Sequence, residues 1–409
     1  MSSKLTNHIY GLDGLRAVAI LMIFTLHAWG HSGKPAIAII MADFGVLKLD
    51  SAIQFGGEVG VAIFFILSGF LLSLSFWKQV LNRKEKYHLN FKEYFTRRFF
   101  RIYPSYVLAV IIYALVHDVN HSLFIRAVHI LTHTLLVHNL FEITIYNISA
   151  PLWFVGTLFQ LYMFLPVIFL FITYLLRKRV ASPIIMLVTF VLAGLIGIGV
   201  FEVAKFLLSI VDLDPRIVAV DGRVLLHSPF SNLASFTTGV ICSYLYLCFR
   251  EGNSTSRLRS MVIKIMAPIF ALILLTIALT NEQFAGVYPS LWPGLQIILG
   301  GLLLIITIGG SKLGISKLLE TCSIRFLGSI SFSFYLYHDL ILYNVYNRLP
   351  PLLSETILNT NIIKFVIAFI FTICISLFFF EFVEKRLTKR VTEIFLYKRK
   401  KTGVIIDDI

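Results

Sequence analysis

"GLDGLRAVAILMIFTLHAWGH", residues 11–31, has the length and apolarity of a membrane helix, yet it carries Asp13, Arg16 and His27. At the centre of a spanning helix an Asp or Arg costs about 2.5–3.5 kcal/mol on insertion scales. Three ionisable groups in one apolar run therefore need partners or a task. Arg16 and His27 stand eleven residues apart. At about 100° per residue that is three turns with roughly 20° left over, so both share a face and lie about 16 Å apart along the axis. Asp13, three residues before Arg16, falls on the same side and is placed to pair with it. A topology anchor plus an interfacial histidine is the plain alternative. Ionisable groups at membrane depth are functional by default, which favours a site.

The rest of the chain supports a membrane solvent. Of 409 residues, 57% are hydrophobic and 14% charged, more apolar surface than a water-soluble fold can hide. The apolar runs are long and continuous, which predicts an all-α bundle of transmembrane helices rather than a barrel. Ten runs are long enough to span: 11–29, 56–76, 100–117, 152–176, 183–201, 228–249, 262–280, 289–309, 326–346 and 362–382. The first is interrupted by charge and followed by no small-residue cleavage site, so it is expected to be a retained anchor. The net charge of +14 sits in short stretches between runs, eight basic residues between Lys78 and Arg101 and eight between Lys385 and Lys401. That is a topology signal rather than a nucleic-acid surface, so no nucleic-acid partner is expected. With both termini cytoplasmic, most Lys and Arg fall inside, and the chain is expected in the cytoplasmic (inner) membrane, in contact with its lipids. A transmembrane domain, 1–382, is expected to precede a basic cytoplasmic tail, 383–409, whose "KRKK" reads as an inner-leaflet anchor. No appended soluble domain is expected. Segment 118–151, with "FIRAVHILTHTLLVHNLF", is too polar to span and is expected on the outer surface or re-entering the bundle. Cys242, Cys248, Cys322 and Cys374 are scattered and predict neither disulfides nor a metal site.

Further stretches carry chemistry. "GGEVGVAIFFILSGFLLS" (56–73) combines Gly56, Gly57, Gly60 and Gly69 with Ser68; small residues permit close helix approach, and that alone accounts for them. "FTRRFFRIYPSY" (95–106) sets Arg98 and Arg101 three apart on one face, with Arg97 adjacent. Such a pair suits phosphate, although the same residues also serve as a positive-inside signature. "LWFVGTLFQLYMFLP" (152–166) contributes Trp153, Gln160 and Tyr162, and "SISFSFYLYHDLIL" (329–342) sets Tyr335 and His338 on one face with Asp339 alongside. His129 and His133 have the i, i+4 spacing of a helical metal pair, but no third ligand is evident and no metal is expected.

Taken in order, these stretches resemble the acyltransferase-3 family of integral-membrane O-acyltransferases. Asp13, Arg16 and His27 match its opening helix, Arg98 and Arg101 its Arg-x-x-Arg segment, His338 its late histidine span, and "FEFVEKRL" its closing segment through Glu384. The usual proline after "E-K" is Arg386, and in the fourth span a usual Ser and Glu are Phe154 and Leu158, while Trp153, Gln160 and Tyr162 match. These departures imply a branch distinct from the peptidoglycan-modifying members, without the fused outer esterase-like domain of some relatives.

The resemblance implies acetyl-CoA, or a related acyl-CoA, as cytoplasmic donor and a hydroxyl of a sugar, lipid-linked sugar or exported glycan (a lipopolysaccharide or capsule saccharide) as acceptor. On that expectation Arg98, Arg101, Arg97 and Ser68 hold the donor. His27 acts as base or transient acyl carrier, with Arg16 and Asp13 beside it, and Trp153, Gln160, Tyr162, Tyr335 and His338 receive the acceptor. The rival expectation is a proton-coupled transporter or lipid-linked sugar translocase using Arg16, His27 and His338 as a polar path.

Overall fold

A computed structural model describes residues 9, 11–33, 49–81, 91–116, 122–178, 182–210, 224, 227–251, 288–309, 314–349 and 357–402. Regular structure among the described residues is helical throughout: α1 (Leu12–His31), α2 (Leu49–Leu81), α3 (Phe91–Val116), α4 (Leu123–Thr134), α5 (Glu142–Ile145), α6 (Trp153–Arg177), α7 (Ser182–Ile210), α8 (Pro229–Glu251), α9 (Tyr288–Gly309), α10 (Gly314–Leu319), α11 (Cys322–Ser329), α12 (Ser331–Arg348), α13 (Ile357–Phe379) and α14 (Lys385–Thr402). Among the described residues, six helical stretches are long and apolar enough to cross a membrane: Leu12–His31, Ala52–Leu81, Phe91–Val116, Ala150–Arg177, Pro229–Phe249 and Asn361–Val391. The chain is thus a multi-pass membrane protein, and six of the ten sequence runs meet this criterion. Runs 183–201 and 289–309 lie in α7 and α9, with shorter apolar stretches at Ile184–Gly197 and Ile298–Ile308. Run 262–280 lies outside the described residues.

The bundle is organised around α2, which packs against α1 on one side and α8 on the other. Glycine decides the second contact. A Cβ on Gly69 would stand 2.1 Å from the Phe236 carbonyl oxygen, and one on Gly239 would stand 2.0 Å from that of Ile66. The two backbones touch at a depth where lipid gives no hydrophobic drive, so close packing and hydrogen bonds hold the seam. Ser73 and Ser243 share a hydrogen bond of 2.5 Å across it, and the Trp77 indole N–H donates to the Val240 carbonyl at 2.9 Å. The packing account of the glycines in the second span is therefore the one their surroundings support.

On its other flank α1 meets α12 and α13. Phe24 sets its edge against Phe334, Phe365 and Phe369 at centroid distances of 5.5, 5.1 and 5.5 Å, the arrangement that ring quadrupoles favour. The start of α1 is fixed from outside. Gly11 takes φ 81°, and its N–H donates to the Glu320 carboxylate at 2.6 Å, an anion at a helix N-terminus.

Run 326–346, expected as one span, is two helices meeting at Ile330. The short α11 lies against the first turn of α1, where a Cβ on Gly328 would fall 1.9 Å from the Asp13 carbonyl oxygen. The chain must turn after that contact, and α12 then enters the bundle with Tyr335, His338 and Asp339 buried. The connection between α3 and α6 folds back on the bundle through α4, α5 and two 3-10 turns, burying His129, His133, His138 and Asn139. Irregular backbone is tolerated in a membrane protein where protein covers it. Beyond α13 a π-helical turn, Phe380–Glu384, leads into α14.

Candidate functional site

The face of α1 that carries charge meets partners at both ends. At its start Arg16 Nη1 donates to Asp13 Oδ1 at 2.6 Å, closing the i, i+3 pair that the spacing predicts. A cavity of about 100 Å³ opens beside Arg16, and Arg98, Arg101, Ser68, Tyr162 and Tyr335 also line it. Arg98 and Arg101 reach it together because three residues along α3 keep one face. Among the described residues the buried Arg98 Nε–H has no hydrogen-bond partner, a costly state for a charged group. Arg97 does not line the cavity; it pairs with Glu93 at 2.8 Å, one turn back on α3.

Glu384 also lines the cavity, a position to which its place in the closing segment assigns no role. A π-helical turn shifts helical register by one residue, and here it ends on Glu384 with the carboxylate buried. Its Oε2 accepts the Ser333 hydroxyl at 3.1 Å, and it lies within electrostatic reach of Arg101 and Arg16. A carboxylate following a long apolar run was the signal available. Among the described residues, three guanidinium groups at the cavity stand against two carboxylates, Glu384 on its wall and Asp13 paired with Arg16, an excess of one positive charge that suits an incoming anion.

At the far end of α1, His27 meets His338 across the α1–α12 contact. His338 Nε2 and His27 Nδ1 stand 3.1 Å apart, with ring centroids at 4.9 Å. The tautomers follow from the neighbours. His338 Nδ1 lies 2.7 Å from the Tyr335 carbonyl, an obligate acceptor, so it carries the hydrogen and Nε2 is left to accept. His27 Nδ1 lies between that nitrogen and the Ile23 carbonyl at 2.9 Å, so it too carries a hydrogen. The lone pair of neutral His27 is then at Nε2, the arrangement of an oriented base. Neither histidine lines the cavity. Tyr335, on the cavity wall, links the two: its ring centroid is 5.5 Å from that of His338, and Phe154, on the same wall, packs on Tyr335 and Phe65 at 4.9 Å each. Phe154 and Leu158, which stand where Ser and Glu were expected, give the cavity an apolar wall.

Trp153 and Gln160 stand apart from both groups. The Trp153 indole stacks on the His227 imidazole at 3.8 Å and 8°. Gln160 Nε2 donates to the Leu136 carbonyl at 2.7 Å and to Asn139 Oδ1 at 2.8 Å, while its Oε1 accepts from Asn139 Nδ2 at 3.1 Å. Leu136 holds φ 57°, a left-handed conformation uncommon for leucine, so Gln160 pins a strained turn of the α3–α6 connection. Tyr335 donates its hydroxyl to the Pro151 carbonyl of the same connection. The His129–His133 pair turns to other uses. His133 Nδ1–H donates to the His129 carbonyl at 2.8 Å, His129 Nε2 accepts from the Asn147 amide at 2.8 Å, and the His133 ring stacks on His138 at 3.9 Å. Among the described residues no three His, Cys, Asp or Glu side chains form a group able to hold a metal ion.

Comparison with known proteins adds an independent line. A family model described as "Acyltransferase domain" matches residues 9–381. The chain is 24% identical over 402 residues to the peptidoglycan O-acetyltransferase OatA of Listeria monocytogenes, covering 93% of this chain and 56% of that protein. It is 23% identical over 348 residues to the "Putative O-acetyltransferase SACOL0978" of Staphylococcus aureus, covering 82% of this chain and 51% of that protein. The chain spans about half the length of the curated relatives it matches. No solved structure matches it.

Proposed function

From the chain's membership of the acyltransferase-3 family as premise, we propose that it is an O-acyltransferase of the inner membrane. It moves an acetyl or similar acyl group from cytoplasmic acyl-CoA to a hydroxyl of a sugar or exported glycan. The observation that carries this reading is the pairing on one helix face of a net-cationic cavity at Arg16 with an oriented imidazole at His27.

In this reading Arg98 and Arg101, with Arg16 and Ser68, take the phosphate-bearing end of the donor, and the planar guanidinium fork suits that task. Glu384 and Asp13 hold the guanidinium groups in place. His27 Nε2 removes the proton of the acceptor hydroxyl, and His338 holds the His27 ring in the correct tautomer. The hydroxyl oxygen bonds to the acyl carbon as the carbon–sulfur bond breaks, and the proton passes from His27 to the departing thiolate. Tyr162 and Tyr335 line the route of the acyl group, while Trp153 and Gln160 shape the acceptor's approach through the α3–α6 connection. With positive charge between runs, both termini and the Arg16 end of α1 are on the cytoplasmic side.

The test compares exported glycans of cells lacking the protein with cells complemented by wild type or by His27→Gln, using mass spectrometry. Wild type is expected to restore one acyl unit per modified residue. His27→Gln, present in the membrane at the same level, is expected to restore on the order of 10²-fold less or worse, the usual loss with a general base. Full restoration by His27→Gln overturns the assignment of the base, and an unchanged glycan in the deletion overturns the acceptor class.

A further inference from the structure

Beside the histidine pair runs a second rung between the same two helices. His31, one turn beyond His27 on α1, faces Asp339, the residue after His338 on α12, with His31 Nε2 to Asp339 Oδ1 at 2.9 Å. The other carboxylate oxygen accepts the Ser149 hydroxyl at 2.8 Å, from the α3–α6 connection. The backbone there is held as well, since the Leu340 N–H donates to the Tyr113 hydroxyl of α3 at 2.9 Å. Asp339 is 8% exposed, so three elements converge on a carboxylate that water scarcely reaches. The titratable groups facing it are His27 and His31 from α1, His338 and Tyr335 from α12, and Tyr113 from α3.

A buried carboxylate is expensive unless its charge is matched. During the transfer the acceptor's proton sits on His27, creating a cation within electrostatic reach of this carboxylate. With His27 in the hydrogen-bonded pair and Asp339 fixed at both oxygens, the anion is in place before the cation forms, which is how preorganised electrostatics lower a barrier.

We propose that Asp339, oriented by His31 and Ser149, is the positioning carboxylate that balances the proton held by His27 during acyl transfer. This rests on the reading of His27 as the base. It assigns roles to Asp339, His31 and Ser149, which the sequence reading left without any.

The test uses native membranes carrying the full-length chain and their own acceptor, with radiolabelled acetyl-CoA and label counted in the polysaccharide fraction. Asp339→Asn keeps the shape and loses the charge. It is expected to lower kcat on the order of 10²-fold with the KM for acetyl-CoA and the thermal midpoint unchanged. Asp339→Glu is expected to recover part of kcat. His31→Gln, which can still donate to the carboxylate, is expected to cost less than about threefold, near the low end for one hydrogen bond. If Asp339→Asn retains full kcat while His27→Gln is dead, the carboxylate is not needed and the base stands. If kcat per folded protein is unchanged and only the thermal midpoint falls, Asp339 merely ties the helices and the proposal fails. If His27→Gln is also fully active, the reading beneath the proposal has failed instead.

Discussion

Arg98 is the residue whose surroundings ask most plainly for something else. Its neighbour Arg97 has Glu93, and Arg16 has Asp13, but the Arg98 Nε–H is buried without an acceptor among the described residues. A charge-assisted hydrogen bond contributes about 1.5–3 kcal/mol. Arg98→Ala in the purified protein is therefore expected to raise the dissociation constant for acetyl-CoA by roughly ten- to a hundredfold. Arg98→Lys is expected to recover only a fraction, since an ammonium cannot offer the planar fork. Isothermal titration decides it, and unchanged affinity in Arg98→Ala removes the cavity from donor binding. At this scale the sequence was informative where partners are close along the chain. The Asp13–Arg16 pair and the shared face of Arg98 and Arg101 follow from spacing alone. The His27–His338 contact joins residues 311 apart, and no local pattern specifies it. Glu384 was named in the closing segment but given no role, because its inward turn depends on a single π-helical register shift.

Between elements, glycine and hydrogen bonding do what apolar burial cannot do inside a lipid solvent. The α2–α8 seam depends on Gly69 and Gly239 lying against each other's helix backbone. Gly239→Leu would drive a side chain into the Ile66 carbonyl, and overpacking of this kind costs about 1–3 kcal/mol or more. A clear fall in the thermal midpoint in detergent is expected, with loss of the folded fraction. Gly194→Ala in α7, where nothing stands within 4 Å of the new methyl, is the control and is expected to leave the midpoint in place or raise it slightly. Equal midpoints for the two variants would mean that the seam does not hold the bundle. The second span's glycines were legible as packing residues, yet their partners, α1 for Gly57 and Gly60 and α8 for Gly69, were not, because helix pairing is set by the whole bundle. The division of run 326–346 into α11 and α12 was hidden for a similar reason. The stretch is apolar without a proline, and the turn at Ile330 answers to Gly328 pressed on α1.

At the scale of the whole molecule, an aromatic run joins the wall of the arginine-lined cavity to the histidine pair: Phe65 packs on Phe154, Phe154 on Tyr335, and Tyr335 lies 5.5 Å from His338. A body that carries polar groups toward both faces of a membrane risks becoming a leak for the ion gradients that power the cell. An aromatic partition removes that risk, because a bare proton or small ion has no hydration to exchange while crossing a ring-lined plug. An acyl group, neutral and flexible, loses little by passing the same place. We expect liposomes containing the protein to hold an imposed pH gradient as long as empty ones, with or without acetyl-CoA, when followed by an entrapped pH dye. Phe154→Ala is expected to shorten that lifetime, and a wild-type protein that collapses the gradient would mean the two ends are joined by water. On the proposed transfer, such a partition would let a chemical group cross while voltage does not, so that the enzyme could work in an energised membrane without discharging it.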